Sequence, residues 1–193
     1  MQMNNQTLED LSITFLEKTV LGRKTDFNIP DSVIDSCIRK ADGDMLTAGR
    51  FYLPKDSEKR RVAFKNLLKD ENYVFSRGLI EKTASLFGDK EIIGSGKKYA
   101  TRFGLAQKLV NMTYKYLYVY KSYIDLDIDF SHCDCPLDSV ILEKINYTQN
   151  VWSKVTKAEY EDCQTIIKNK IQKCGLYEES TVLGNLVFDF RVW

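Results

Sequence analysis

Apolar positions along this chain recur mostly at helical spacing. Leu8, Leu11, Phe15 and Leu16 predict an amphipathic helix over about 6–20. After Asn28-Ile29-Pro30-Asp31, either Asp31 or Ser32 supplies a cap for a second helix. That helix turns Val33, Ile34, Cys37, Ile38, Ala41 and Met45 inward, with Gly43 weakening its middle. The loop Leu53-Pro54-Lys55-Asp56-Ser57 leads to a helix over 57–69, whose outer face is basic through Lys59, Arg60, Arg61 and Lys65. Residues 72–87 mix helical and strand-like patterning and are assigned to helix.

Gly88-Asp89 and Gly94-Ser95-Gly96 break the chain before its clearest helix, expected over about 99–121. Leu105, Leu109, Met112, Tyr116 and Val119 step by four, three, four and three and form one buried stripe. Gly104, Lys108, Asn111 and Lys115 run beside it as a polar stripe. Ile124 to Phe130 alternates apolar residues with aspartates, the pattern of a short extended segment. Cys135-Pro136-Leu137-Asp138 then opens a helix, with Pro136 near its first position and Asp138 in its first turn, that carries Leu137, Val140, Ile141 and Ile145. Thr156 and Glu159 form a capping-box pattern ahead of a helix that buries Tyr160, Cys163, Ile167 and Ile171. The ending, Leu186 to Trp193, reads as a short strand or docked tail. The expected fold is mainly α, a compact multi-helix domain over 1–193, with two helical lobes and a cleft meeting near 88–96.

Composition narrows the function classes only modestly. The chain has 193 residues, 44% hydrophobic and 28% charged, which is enough for one well-buried core. Twenty-eight basic against 27 acidic residues exclude a globally basic nucleic-acid binder and leave room for a local basic surface. No apolar run approaches a membrane span, and the first residues lack the pattern of an export signal, so a cytoplasmic location without a membrane partner is expected. The five cysteines are then expected as reduced, packed thiols.

Charge is segregated along the sequence. From Ile92 through Ile124 no residue is acidic, while Lys97, Lys98, Arg102, Lys108, Lys115 and Lys121 are basic. Asp125, Asp127, Asp129, Asp134 and Asp138 follow, with no Lys or Arg until Lys144. The turn Gly94-Ser95-Gly96-Lys97-Lys98 suits a phosphate, because glycines allow close backbone approach and a following helix start favours an anion. It is no Walker loop, lacking both the first glycine at the required spacing and the Ser/Thr after Lys. His132 is the sole histidine, which removes two-histidine metalloproteases, and no arginine precedes it at the spacing of an RNA-cleaving Arg-His motif. Cys133 and Cys135 with Cys163 and Cys174 match no paired zinc spacing, so no metal is expected there. Asp125, Asp127 and Asp129 resemble the start of a calcium loop, but Ile128 and Phe130 stand where turn residues are wanted, which favours a solvated strand face.

Lys108 and Asp138 form the pairing with chemical content. An aspartate in the first turn of a helix stays ionised beside backbone N–H groups and the helix dipole. A lysine converging on it can attack a sugar carbon while the carboxylate stabilises developing positive charge. The bland alternative is a plain salt bridge, or no contact.

The order Lys108-Leu109-Val110-Asn111-Met112, an extended connection, and then Cys135-Pro136-Leu137-Asp138-Ser139-Val140-Ile141-Leu142 is similar to that of the helix-hairpin-helix DNA glycosylases. It is nearest to the archaeal 8-oxoguanine glycosylase branch. The resemblance covers residues 92–145 and includes neither a Leu-Pro-Gly-Val-Gly hairpin nor the iron–sulfur cysteine pattern of one branch. It implies a DNA N-glycosylase with lyase activity and no cofactor, in which Lys108 forms a Schiff base and Asp138 assists. DNA phosphates would then lie on Gly94, Ser95, Gly96, Lys97, Lys98, Arg102 and Lys115, with a flipped base among Phe103, Tyr114, Tyr118 and Trp152. The competing class is a non-enzymatic helical interaction protein, a phage-conflict or regulatory factor, whose basic 92–121 face docks a partner protein or RNA. A third option is phosphodiester hydrolysis at the Asp cluster with a divalent ion.

Overall fold

The structure is a computed structural model that describes residues 30–49, 57–87, 92–93, 99–121, 127–149 and 151–192. The helix expected over 6–20 and the Gly94–Lys98 turn lie outside the described residues. So does most of the lobe boundary expected near 88–96.

The chain is mainly helical. Its elements are α1 (Pro30–Gly49), α2 (Ser57–Asp70), α3 (Arg77–Ala84), a minimal antiparallel pair β1 (Ile92–Ile93) and β2 (Tyr99–Ala100), and α4 (Arg102–Val119). They continue with α5 (Ser139–Lys144), a 3-10 turn at Trp152–Lys154, α6 (Lys157–Lys173), α7 (Tyr177–Leu183) and α8 (Leu186–Val192). In α1 the six apolar positions from Val33 to Met45 are all buried, as their spacing requires. Between α2 and α3, Asn72 and Tyr73 take positive φ, which ends one helix and turns the chain. Ser76 then caps α3 by accepting from Leu79 N, and this explains the mixed pattern over 72–87.

α4 is the axis of the molecule. Every residue from Gly104 to Val119 is buried, with α1 and α3 packed against it. It begins at Arg102 rather than at residue 99, because Tyr99 and Ala100 pair with Ile93 and Ile92 while Thr101 caps the helix. α5 starts only at Ser139, because Asp138 is extended and caps the helix, which leaves Pro136 and Leu137 ahead of it. α6 starts on the full reciprocal capping box of Thr156 and Glu159 and buries Tyr160, Cys163, Ile167 and Ile171.

The carboxyl-terminal segment corrects the expectation of a strand or tail, since Leu186–Val192 is helix α8. Its period-two look (Val187, Phe188, Asp189, Phe190, Arg191) misleads because Asp189 is as enclosed as its apolar neighbours. Buried residues from Val33 to Phe190 belong to a single contiguous core. Among the described residues no helix is long and apolar enough to cross a membrane.

Candidate active site

Because α4 is enclosed, its polar stripe has no solvent to face, and each polar group on it needs an internal partner. Lys108 Nζ donates to Asp138 Oδ2 at 2.9 Å. The other oxygen of Asp138 accepts from Ile141 N at 2.9 Å and so caps α5. One carboxylate thus holds both a helix start and an ammonium group. The lysine side chain is 4% exposed and that of Asp138 is 15% exposed.

The indole of Trp152 forms a wall of this site, its ring centroid 5.9 Å from Lys108 Nζ. Two features hold the 3-10 turn that carries it. Thr101 N donates to Ser153 O at 2.7 Å, and Thr101 Oγ1 donates to Val155 O at 3.0 Å. A Cβ built on Gly104 would lie 2.5 Å from Ser153 O, so only glycine lets the first turn of α4 approach this closely.

The segment leading to Asp138 belongs to no helix or sheet, and two glutamines supply partners for its backbone. Gln107 Nε2 donates to Leu137 O and its Oε1 accepts from Leu137 N, both at 3.1 Å. Gln164 does the same for Cys135, donating to its carbonyl at 2.7 Å and accepting from its N–H at 3.0 Å. Asn185 Nδ2 donates to Gln164 Oε1 at 3.1 Å and fixes that amide in turn. The position of Asp138 is therefore set from both sides by buried side chains of α4 and α6.

A second chain of hydrogen bonds leaves α4 at Asn111, whose Nδ2 donates to Tyr160 Oη at 2.9 Å. Tyr160 donates to Asp134 Oδ2 at 3.0 Å, and Asp134 accepts from Arg77 Nε at 2.8 Å and Nη2 at 3.2 Å. Burial raises the Tyr160 hydroxyl well above the ordinary tyrosine range, so it remains a donor. Hydrogen bonding to Asp134 raises the Arg77 guanidinium above its ordinary value.

The remaining expected site residues fall in different places. Lys115 does not face a nucleic acid but lies in the interior, ion-paired with Asp189 of α8. Burial raises the carboxyl of Asp189 and the neighbouring Lys115 opposes that shift. Arg102 is part-exposed at the first position of α4. The four aromatic residues do not make one pocket. Phe103 packs edge-on against Tyr160 at 5.6 Å and lies at the Trp152 end of the helix. Tyr118 meets Phe130 and Phe190 at 5.3 and 5.6 Å, and Tyr114 meets Phe75 at 5.2 Å. A rise of 1.5 Å per residue separates Phe103 from Tyr118 by about 22 Å along the axis.

Cys133, Cys135 and Cys163 are buried thiols, and burial raises all three above the ordinary thiol range, Cys163 to about 11. Among the described residues no group of three His, Cys, Asp or Glu side chains is placed to hold a metal ion. Gln107, Gln164, Tyr160 and Arg77 are absent from the candidates read off the sequence. Only Asn111, on the polar stripe of α4, hinted at the network to which they belong.

No protein-family model, curated protein or solved structure matches this chain. The resemblance to glycosylases therefore stands on residues 92–145 alone.

Proposed function

We propose that the chain is a base-excision enzyme, a DNA N-glycosylase with lyase activity, in which Lys108 is the nucleophile and Asp138 its partner. The single observation that carries this reading is the 2.9 Å contact between Lys108 Nζ and a carboxylate oxygen held in place by a helix cap and a glutamine clamp. Asp138 is within reach to take a proton from the ammonium, which leaves a neutral amine. The amine attacks C1′ of the target nucleotide, and the C1′–N bond breaks as the base departs with its electron pair and takes the proton from Asp138, which is a carboxylate again. The nitrogen gives a second proton to O4′ as the C1′–O4′ bond opens with its electron pair on O4′, which leaves a protonated imine between Lys108 and C1′. Asp138 balances the positive charge that builds on the sugar during these steps. Since Lys108 is enclosed, the reading requires Trp152, the aromatic wall of the site, to swing aside as the nucleotide enters.

The test is borohydride trapping of the full chain on duplexes carrying 8-oxoguanine, uracil or an abasic site. A covalent adduct is expected with the parent chain and none with Lys108→Ala, while Asp138→Asn gives adduct at a strongly reduced rate. Circular dichroism of each variant separates lost chemistry from lost fold. Absence of adduct and of base release on all three duplexes counts against the reading.

The enclosure of the lysine favours a second reading, in which the Lys108–Asp138 pair is a structural cross-link in a non-enzymatic helical interaction protein. Lys108→Ala then alters partner binding no more than Lys121→Ala does, which a pull-down with quantified fold stability distinguishes.

A further inference from the structure

On the side of the molecule where Asp134 meets Arg77, the 131–134 loop, the start of α3, the last turns of α6 and the length of α7 enclose an open cleft of about 400 Å³. We propose that this cleft binds a nucleoside phosphate, with the phosphate on Arg77 and Lys168 and the base on the ring of Tyr177. The proposal does not rest on the reading of Lys108, because neither Lys108 nor Asp138 lines the cleft.

Arg77 is prepared for an anion. Its orientation is fixed by the two-point contact with Asp134, a side chain 7% exposed that Tyr160 also holds. Asp134 uses two of the five N–H donors of the guanidinium, so three remain, and the Arg77 side chain is 44% exposed where it lines the cleft. Lys168 is exposed on α6 and makes no ion pair or hydrogen bond among the described residues. Arg77 and Lys168 against Asp134 leave the lining with one net positive charge when His132 is neutral.

The rest of the lining fits the other half of a nucleotide. Tyr177 is 63% exposed, a large ring left in water at the start of α7 with no ring partner among the described residues. With Ile171 it gives the cleft an apolar side on which a flat base stacks. Gln172 offers an amide group to base or sugar edges, while Asn185, whose Nδ2 is held by Gln164, offers its amide oxygen. The volume lies within the range of about 300–1,000 Å³ usual for small-ligand sites. Gly184 gives the cleft its floor. Its φ is +56°, and a Cβ there would lie 2.5 Å from Cys133 O, so α7 closes against the 131–134 loop only through glycine.

A nucleoside phosphate reaches such a cleft either free or as one unit of a strand, and the experiment has an arm for each. The full-length chain is titrated with adenosine 5′-monophosphate, adenosine and inorganic phosphate by calorimetry, and with an undamaged fluorescein-labelled ten-nucleotide single strand by anisotropy. Lys168→Gln and Tyr177→Ser serve as variants, since both side chains are exposed and their loss leaves the core intact. Saturable binding weakened about tenfold in each variant is expected. Binding of the monophosphate in excess of adenosine and of phosphate assigns a free nucleotide, and binding of the strand alone assigns a nucleic acid. Binding of neither ligand, or affinities unchanged in both variants, overturns the proposal. A borohydride adduct at Lys108 together with unchanged affinities would sink the cleft and spare the glycosylase reading, and the opposite pair of results would do the reverse.

Discussion

α4 presents two lysines seven residues apart, each paired with one aspartate, and the two pairs are built differently. Lys115 and Asp189 are sealed between α4 and α8, with side chains 3% and 1% exposed. Lys108 meets Asp138 at the mouth of α5, where the carboxylate is 15% exposed and also caps a helix. A sealed pair must carry the desolvation of both ions, and its main service is to fix how two helices dock. A pair at a helix start shares its carboxylate with backbone N–H groups and keeps one side near solvent. The Lys108 side chain is nearly as enclosed as that of Lys115, so the contrast lies in the carboxylates, of which Asp138 keeps an edge near solvent and Asp189 does not. The difference separates a structural lysine from a candidate nucleophile on the same helix.

Breaking the sealed pair gives the largest expected effect. Lys115→Met leaves Asp189 charged and enclosed and should cost about 3–5 kcal/mol in urea unfolding. Adding Asp189→Leu should bring stability back to within about 2 kcal/mol of the parent chain. Equal costs for Lys115→Met and Lys108→Met would erase the contrast. Next in size is Gln107→Leu, which strips two backbone groups of Leu137 of their partners and should cost about 2–3 kcal/mol. Its amide exchange should rise at Leu137 while α8 stays protected.

A smaller effect is expected at the helix cap. Asp138→Ala loses both the cap and the ion pair and should cost about 1–2 kcal/mol, whereas Asp138→Asn keeps the cap acceptor and should cost less than half as much. Thermal denaturation of the two variants side by side reads this out.

The smallest is a pH effect. Burial raises the carboxyl of Asp189, so the folded chain binds more protons than the unfolded chain between the ordinary carboxylate value, about 4, and its raised value. The contribution of this group to stability is therefore greatest below that ordinary value and declines as pH rises through the raised one. The stability of the Lys115→Met, Asp189→Leu double variant relative to the parent chain should be higher at pH 7 than at pH 4. A flat difference between the two pH values would mean that Lys115 cancels the burial of its partner in full.

Local rules made part of this fold readable and tertiary ones hid the rest. α1 follows from its spacing, although it starts at Pro30 and so has Asp31 and Ser32 within it rather than as its cap. α6 follows from spacing and its capping box, because one face of each helix meets the core and the other meets water. α4 carries the same periodic signal, yet enclosure on all sides turns its polar stripe from an expected surface into an internal network. That is why Lys115 reads as a phosphate ligand in the sequence and lies inside the protein. Its partner Asp189 sits in a run whose alternation imitates a strand. Lys108 and Asp138 stand out together because a helix start and a polar stripe are both local signals. The glutamine clamps are invisible because Gln107 and Gln164 have no local reason to be polar, and their targets are backbone atoms about thirty residues away in sequence.

Those clamps also tie an irregular stretch to the helices on either side of it. The stretch from Cys133 to Leu137 cannot settle by itself, since the groups that hold Cys135 and Leu137 arrive on α6 and α4. It holds its native path only while both helices are in place. In the folded chain the amide protons of Cys135 and Leu137, though outside any helix or strand, are then released to solvent only when the helix pair parts. This irregular stretch should keep time with the most slowly exchanging helices.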